Sequence, residues 1–223
     1  MIRIQDSKKQ VISIGHYKIL EILHSDETKD LFHVQDLKTS CKEYMLRILK
    51  SNQNPKQIDN EIAVLNLLNP YKETINFLKL EIFSDKLLFV FDYAKGDNLE
   101  KLYAKNHKFF TDEKIKLFIS QTLRILEIYK ENNIIHRNIN PKTIICSENK
   151  YFFVGLNKAI INKNNKSLED RYSFISVLYF LITGKILEIE LNDDTEYKMF
   201  QTKIYAIIKE KTLNLKKLKE VCL

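Results

Sequence analysis

His136-Arg137-Asn138-Ile139-Asn140-Pro141-Lys142-Thr143-Ile144-Ile145 sets a basic pair, two amides and a proline ahead of an apolar exit, directly after a long periodic segment. That segment, Asp112 to Asn132, predicts an amphipathic helix with Thr111 as cap and Asp112 and Glu113 in its first turn. Phe118, Thr122, Ile125, Leu126 and Tyr129 make its buried face. Downstream, Tyr151 to Val154 reads as a strand. Arg171 to Thr183 is so uniformly apolar that a helix there is buried, with Gly184 placed to end it. Met199 to Glu210 and Leu215 to Val221 are helical in period.

Upstream the pattern changes. Tyr17 to Leu23, Leu31 to Asp36, Glu43 to Leu49, Phe77 to Phe83 and Lys86 to Tyr93 are short apolar-rich runs between polar turns, so they predict five antiparallel strands. Between the third and fourth, Ile58, Ile62, Leu65 and Leu68 recur at helical spacing and bring Glu61 beside the inward stripe. A polar link, residues 94–98, lets Gly96 and Asp97 end a strand and open a helix. The expected architecture is α+β and bilobal: one domain over 1–223, with a sheet-and-helix lobe at 1–93, a hinge at 94–98 and a shortened, mostly helical lobe at 99–223.

Bulk properties narrow the classes. At 44% hydrophobic with 11 Tyr and 13 Phe, the 223 residues are too rich in large apolar side chains for a disordered chain. Only 4 Gly leaves little for a glycine-built phosphate cradle. Cys41, Cys146 and Cys222 lack the paired spacing of a metal site and read as reduced thiols. The segment Met1 to Gly15 has no apolar run of signal-peptide length, and no stretch suits a membrane span, so a cytoplasmic protein is expected. The net charge of +7 is spread among acids, which fits a solvated surface better than a nucleic-acid site.

The string at His136 resembles the protein-kinase catalytic loop, H-R-D-L-K-P-x-N. Tyr44 to Lys50 is similar to the strand that carries the family's ATP-contacting lysine, Glu61 to the helix glutamate, and Phe89 to Tyr93 to the hinge. Glu169 to Phe174 followed by Leu181 to Lys185 resembles the buried helix that begins with an aspartate and ends in T-G. The likeness runs from about Tyr17 to Lys185. It implies a vestigial nucleotide cleft lined by His24, Asp26, Lys29, Arg47, Glu61, Asp92 and Tyr93, and structural roles for Glu61, His136, Arg137 and Asp170.

Set on the family pattern, the chemical positions are changed. His24-Ser25-Asp26-Glu27-Thr28-Lys29 holds none of the glycines of the phosphate loop, and Asp26, Glu27 and Asp30 bring carboxylates towards it. The lysine becomes Arg47, expected to pair with Glu61, with residual phosphate contact as the alternative. The proton-accepting aspartate becomes Asn138, whose amide is no base, and loss of a general base costs about 10² to 10⁴ in rate. The loop lysine becomes Asn140, a magnesium-binding asparagine becomes Thr143, and the metal-binding D-F-G aligns with Gly155-Leu156-Asn157. The polar stretch Asn162 to Lys166 replaces a substrate platform. His16, His33 and His107 read as ordinary surface or core residues.

These substitutions imply a pseudokinase: no catalytic residue, no metal, no cofactor, and a protein partner such as an active kinase or its substrate. Atypical ATP-dependent transfer and binding of nucleic acid through the basic surface are the competing readings. The pattern does not set the oligomeric state.

Overall fold

Short runs rich in β-branched and aromatic residues make the N-terminal part a sheet. Its elements are β1 (Ser13–Ile14), β2 (Tyr17–Ser25), β3 (Lys29–Asp36), β4 (Glu43–Leu49), helix α1 (Pro55–Leu68), β5 (Phe77–Phe83) and β6 (Lys86–Asp92). The strand order is β1-β2-β3-β4-β6-β5, antiparallel throughout. The sequence pattern predicts five strands and the sheet has six. The addition, β1, spans two residues, too few to display alternation, and turns into β2 at Gly15 with φ +60. The structure, a computed structural model, describes residues 12–39, 41–50, 54–162, 169–185, 202–204, 206, 207, 216 and 217.

Alternation gives the sheet an apolar face on which Tyr17, Val34, Tyr44, Leu46, Ile48, Leu88 and Val90 form one buried cluster. Helix α1 opens on Asn54, whose side chain accepts from the Lys56 amide, with Pro55 pre-set in the first turn. It buries Glu61, Val64, Leu65 and Leu68. Just past its end, the Asn69 side chain bonds both backbone groups of Phe77 at 2.7 and 2.9 Å, tying α1 to β5.

The chain divides into two compact units, Met1–Ala94 and Lys95–Leu223. The second contains β7 (Asp97–Asn98), α2 (Leu99–Lys105), α3 (Asp112–Glu131), β8 (Ile134–Ile135), β9 (Ile144–Ser147), β10 (Lys150–Phe153), β11 (Ile160–Ile161) and α4 (Glu169–Thr183). Its strands form two small sheets, β10-β9-β7 and β11-β8. Thr111 caps α3 through the Lys114 amide, and Asn98, rather than Gly96 or Asp97, caps α2. Helix α3 buries Ile115, Phe118, Ile119, Thr122, Ile125, Ile128 and Tyr129, whereas Leu126 is only half-buried. The buried arc turns towards Ile128 because β8 packs on this end of the helix and Tyr129 lies against the His136 ring.

Phe118 of α3 meets Phe174 of α4 with ring centroids 5.9 Å apart, inside the core anticipated for that apolar helix. Gly184 follows at φ +73 and packs on the Tyr103 ring. The segments read as helices at Met199 to Glu210 and Leu215 to Val221 lie outside the described residues, except that 202–204, 206, 207, 216 and 217 are helical. Met1 to Val11, Cys222 and the polar stretch beyond Asn162 also lie outside them. Among the described residues, no helix is long and apolar enough to cross a membrane.

Gly96 runs so close to β9 that an added Cβ would collide with the Cys146 carbonyl oxygen. Gly96→Ala is therefore expected to destabilise the second unit by about 1–3 kcal/mol, the cost of overpacking. A shift of the urea midpoint at unchanged m-value checks it.

Candidate functional site

In the first unit, Arg47 on β4 and Glu61 on α1 form a buried, bidentate pair. Nη1 donates to Oε1 at 2.7 Å and Nη2 to Oε2 at 2.9 Å. The register sets Arg47 opposite Phe89 of β6, and the guanidinium lies 4.1 Å from the centre of that ring. Two parallel hydrogen bonds and an aromatic face suit a planar fork better than a lysine's point charge. Arg47 Nε is buried and has no hydrogen-bond partner among the described residues.

The turn His24 to Lys29 is closed by its own side chains. Asp26 Oδ1 accepts from the Thr28 amide and hydroxyl, both at 2.7 Å, and from the Lys29 amide at 2.9 Å. Its other oxygen lies 2.8 Å from His24 Nε2. These donors, the Thr28 hydroxyl first, hold the Asp26 carboxyl far below the usual carboxylate range. Lys50 Nζ donates to the Asp26 carbonyl at 2.7 Å and pairs with Asp30 at 2.7 Å. A carboxylate of the chain thus occupies backbone donors of the kind that bind phosphate in glycine-rich loops. Glu27 stays exposed at the tip.

At the end of β6, Asp92 accepts from the Asn76 side chain at 2.9 Å and lies 3.7 Å from Lys42 Nζ. Tyr93 stacks on His33 with centroids 3.6 Å apart, and His33 Nε2 sits 2.8 Å from Glu43. His16 lies 3.6 Å from Asp36, and His107 packs 5.0 Å from the Tyr103 ring. Each of these histidines therefore has a partner; those of His16 and His33 are brought to them by the tertiary structure, whereas Tyr103 is a near neighbour of His107 in the chain.

In the second unit, Asp170 at the start of α4 accepts from the His136 amide at 2.6 Å and the Arg137 amide at 2.9 Å. Burial pushes its carboxyl above the usual value, and those two donors work against the shift. They hold Arg137 in the left-handed region at φ +61. The His136 ring is fully buried against Tyr129 and Phe153, and its Nδ1 accepts from the Asn138 amide at 3.2 Å. Burial lowers its pKa to about 4.

Asn138, Asn140, Thr143 and Gly155 come together here. Thr143 Oγ1 donates to the Asn138 carbonyl at 2.6 Å, and the Asn140 amide donates to Thr143 Oγ1 at 3.1 Å. Asn140 Nδ2 reaches the Asn138 carbonyl at 3.1 Å and its side-chain oxygen at 3.2 Å, while Asn140 Oδ1 caps the 3₁₀ turn at Lys142. Asn138 Nδ2 leans towards the Gly155 carbonyl at 3.4 Å. Gly155, at φ +80, would direct a Cβ to within 3.3 Å of both Asn138 and Thr143. The three positions that the resemblance gives to a proton acceptor and two metal ligands thus touch, and they hold an amide, a hydroxyl and a hydrogen atom.

That donor set does not fit magnesium, which takes hard oxygens, usually from carboxylates. Among the described residues, no cluster of three His, Cys, Asp or Glu side chains is arranged to hold a metal. The bonds that tie Asn140 to Thr143 escaped the sequence reading, although the N-x-x-T spacing before a 3₁₀ turn carries the signal of a reciprocal cap.

Residues 26–160 match the family model described as protein kinase domain. A probable serine/threonine-protein kinase of Dictyostelium discoideum is 21% identical over 179 residues, which cover 76% of this chain and 38% of the relative. The serine/threonine-protein kinase shk1/pak1 of Schizosaccharomyces pombe is 29% identical over 104 residues, covering 46% and 15%. Human serine/threonine-protein kinase Nek10 is 26% identical over 161 residues, covering 65% and 14%. The chain therefore spans well under half the length of these relatives. In fold, the crystal structure of the PF14_0431 kinase domain superposes with a TM-score of 0.72 at 13% identity, over 90% of this chain and 73% of that one.

Two outcomes follow from the charges. Arg47→Ala strands a buried carboxylate and is expected to cost about 3–5 kcal/mol, whereas Arg47→Met combined with Glu61→Leu should lie close to wild type; urea melts of both decide it. For His136, the pKa falls from 6.5 unfolded to about 4 folded, so the unfolded chain takes the proton first. Its contribution is complete above about pH 6.5 and drains as pH drops towards 4. Relative to a His136→Gln chain, which shares the opposing effect of Asp170, wild type should lose about 3 kcal/mol across that window in pH-dependent melts.

Proposed function

We infer, from the premise that the chain belongs to the protein kinase domain family, that it is a pseudokinase: a kinase fold kept as a protein-binding, regulatory module. The observation that carries this is the contact of Asn138, Thr143 and Gly155. Phosphoryl transfer is mostly positioning and neutralisation of charge, so it depends on a base near the acceptor hydroxyl and on carboxylates that hold magnesium. An amide, a committed hydroxyl and a glycine supply neither. The closed turn around Asp26 supports the same reading, because its carboxylate occupies backbone donors that a nucleotide phosphate would need.

The framework that remains suits recognition of another protein, with an active kinase or its substrate as the expected partner. An exposed Cys41 and a buried Cys146, both free thiols, are compatible with a reducing cytoplasmic setting.

Isothermal titration with ATP, with and without magnesium, tests the proposal. The expected result is the same weak or absent heat in both, and no transfer of label from γ-³²P-ATP to the chain or to a general acceptor protein. Tight binding that depends on magnesium, or label transfer lost in the Arg47→Met, Glu61→Leu chain that keeps its stability, would refute it and revive an atypical transferase.

A further inference from the structure

Strand β5 ends the sheet on one side, pairing with β6 alone among the described strands. Its hairpin to β6 turns on Ser84 and Asp85, both left-handed at φ 47 and 61, and closes on the Phe83–Lys86 pair. A two-residue hairpin of this kind closes on a hydrogen-bonded pair, and such pairs alternate along an antiparallel ladder. The unbroken register from Phe83 back to Lys79 therefore turns the N–H and C=O of Ile82 and Leu80 away from β6. At the other end, the Asn69 side chain takes both backbone groups of Phe77. The regular open edge accordingly runs from Lys79 to Ile82, with Leu80 facing outward and Leu78 at the bulge that ends it.

This edge is apolar and solvent-facing: Leu78 is 39% exposed, Leu80 36%, Ile82 75% and the adjoining Phe83 44%. Unpaired edges of this kind are templates for a further strand, and proteins commonly blunt them with proline or inward charges. Here the charges suit a particular occupant. Lys79 and Glu81 flank Leu80, lie 2.6 Å apart on one face of the strand, and keep 47% and 27% of their side-chain surface. When a second β5 is laid antiparallel with Leu80 opposite Leu80, each Lys79 faces the Glu81 of the other copy and each Ile82 reaches the bulge at Leu78.

Neighbouring registers of the same backbone phase fail. Centring on Lys79 sets two ammonium groups opposite each other, and centring on Glu81 sets two carboxylates so; like charges across a pair are destabilising. We propose that β5 is the interface of an isologous homodimer, in which two copies join edge to edge about Leu80 and extend the sheet across both chains. A self-complementary patch on a two-fold axis is the geometry such dimers require. The proposal does not depend on whether the kinase chemistry is lost.

Sedimentation equilibrium of the full chain over a dilution series should show a monomer–dimer equilibrium. Leu80→Lys, which brings two charges to the axis, should abolish the dimer while leaving circular dichroism, and melting at concentrations where wild type is also monomeric, unchanged. Lys79→Glu alone should weaken association at least tenfold, and Lys79→Glu with Glu81→Lys should restore it. Opposed residues of a hydrogen-bonded pair have Cα atoms about 5.5 Å apart, within disulfide reach. Mild oxidation should therefore cross-link Leu80→Cys chains to each other and leave Ile82→Cys chains no more cross-linked than wild type. A chain monomeric throughout, a dimer that survives Leu80→Lys, or equal cross-linking at positions 80 and 82 would overturn the proposal and leave the edge to another occupant.

Discussion

Arg47 and Glu61 are oppositely charged, buried, and joined by two hydrogen bonds, and the first unit is organised around keeping them so. Neither charge tolerates burial alone, because removing an ion from water costs several kcal/mol unless a partner compensates. The pair therefore fixes where α1 can lie on the sheet: any shift that separates the two groups strands both. Phe89, opposite Arg47 in the register, adds its ring face to the guanidinium and makes β6 part of the same constraint. The guanidinium spends one donor of each terminal nitrogen on Glu61, while its Nε keeps no hydrogen-bond partner among the described residues.

The same closure recurs where the fold would otherwise present donors to a ligand. Asp26 turns its carboxylate into its own loop and takes the Thr28 and Lys29 amides, while Lys50 is held by the Asp26 carbonyl and by Asp30. In the second unit, Asn138, Asn140 and Thr143 exchange hydrogen bonds among themselves. A ligand that sought these donors would first have to break the bonds they already make within the chain.

Strand bounds were most legible where alternation met clear turns. Glu43–Leu49 and Phe77–Phe83 follow from the pattern alone, as does the Thr111 cap of α3. Legibility failed where an element is too short to show a period, as for Ser13–Ile14 or Asp97–Asn98, and where packing shifts a helix face, as at Ile128. For the site, the resemblance picked out Asn138, Thr143 and Gly155 in sequence, but their contact needed coordinates. The stack of His33 on Tyr93 joins residues sixty positions apart, and nothing local to either one announces it.

The bonds that shape the loop at His136 and the side chains that would do chemistry there are separate sets. Asp170 holds the loop through backbone amides of His136 and Arg137, so its grip does not depend on which side chain stands at 138. The positions at 138 and 155 are a different matter: a Cβ at Gly155 would come within 3.3 Å of the Asn138 amide nitrogen. Carboxylates on both would repel unless a cation lay between them or one took up a proton. Without that cation an amide and a glycine are the more stable choice there, and the amide, unlike an ionised carboxylate, can donate from Nδ2 towards the Gly155 carbonyl. With no cation between these two positions, the electrostatics of the folded state favours the residues present, and the loop held by Asp170 needs no rearrangement to accommodate them.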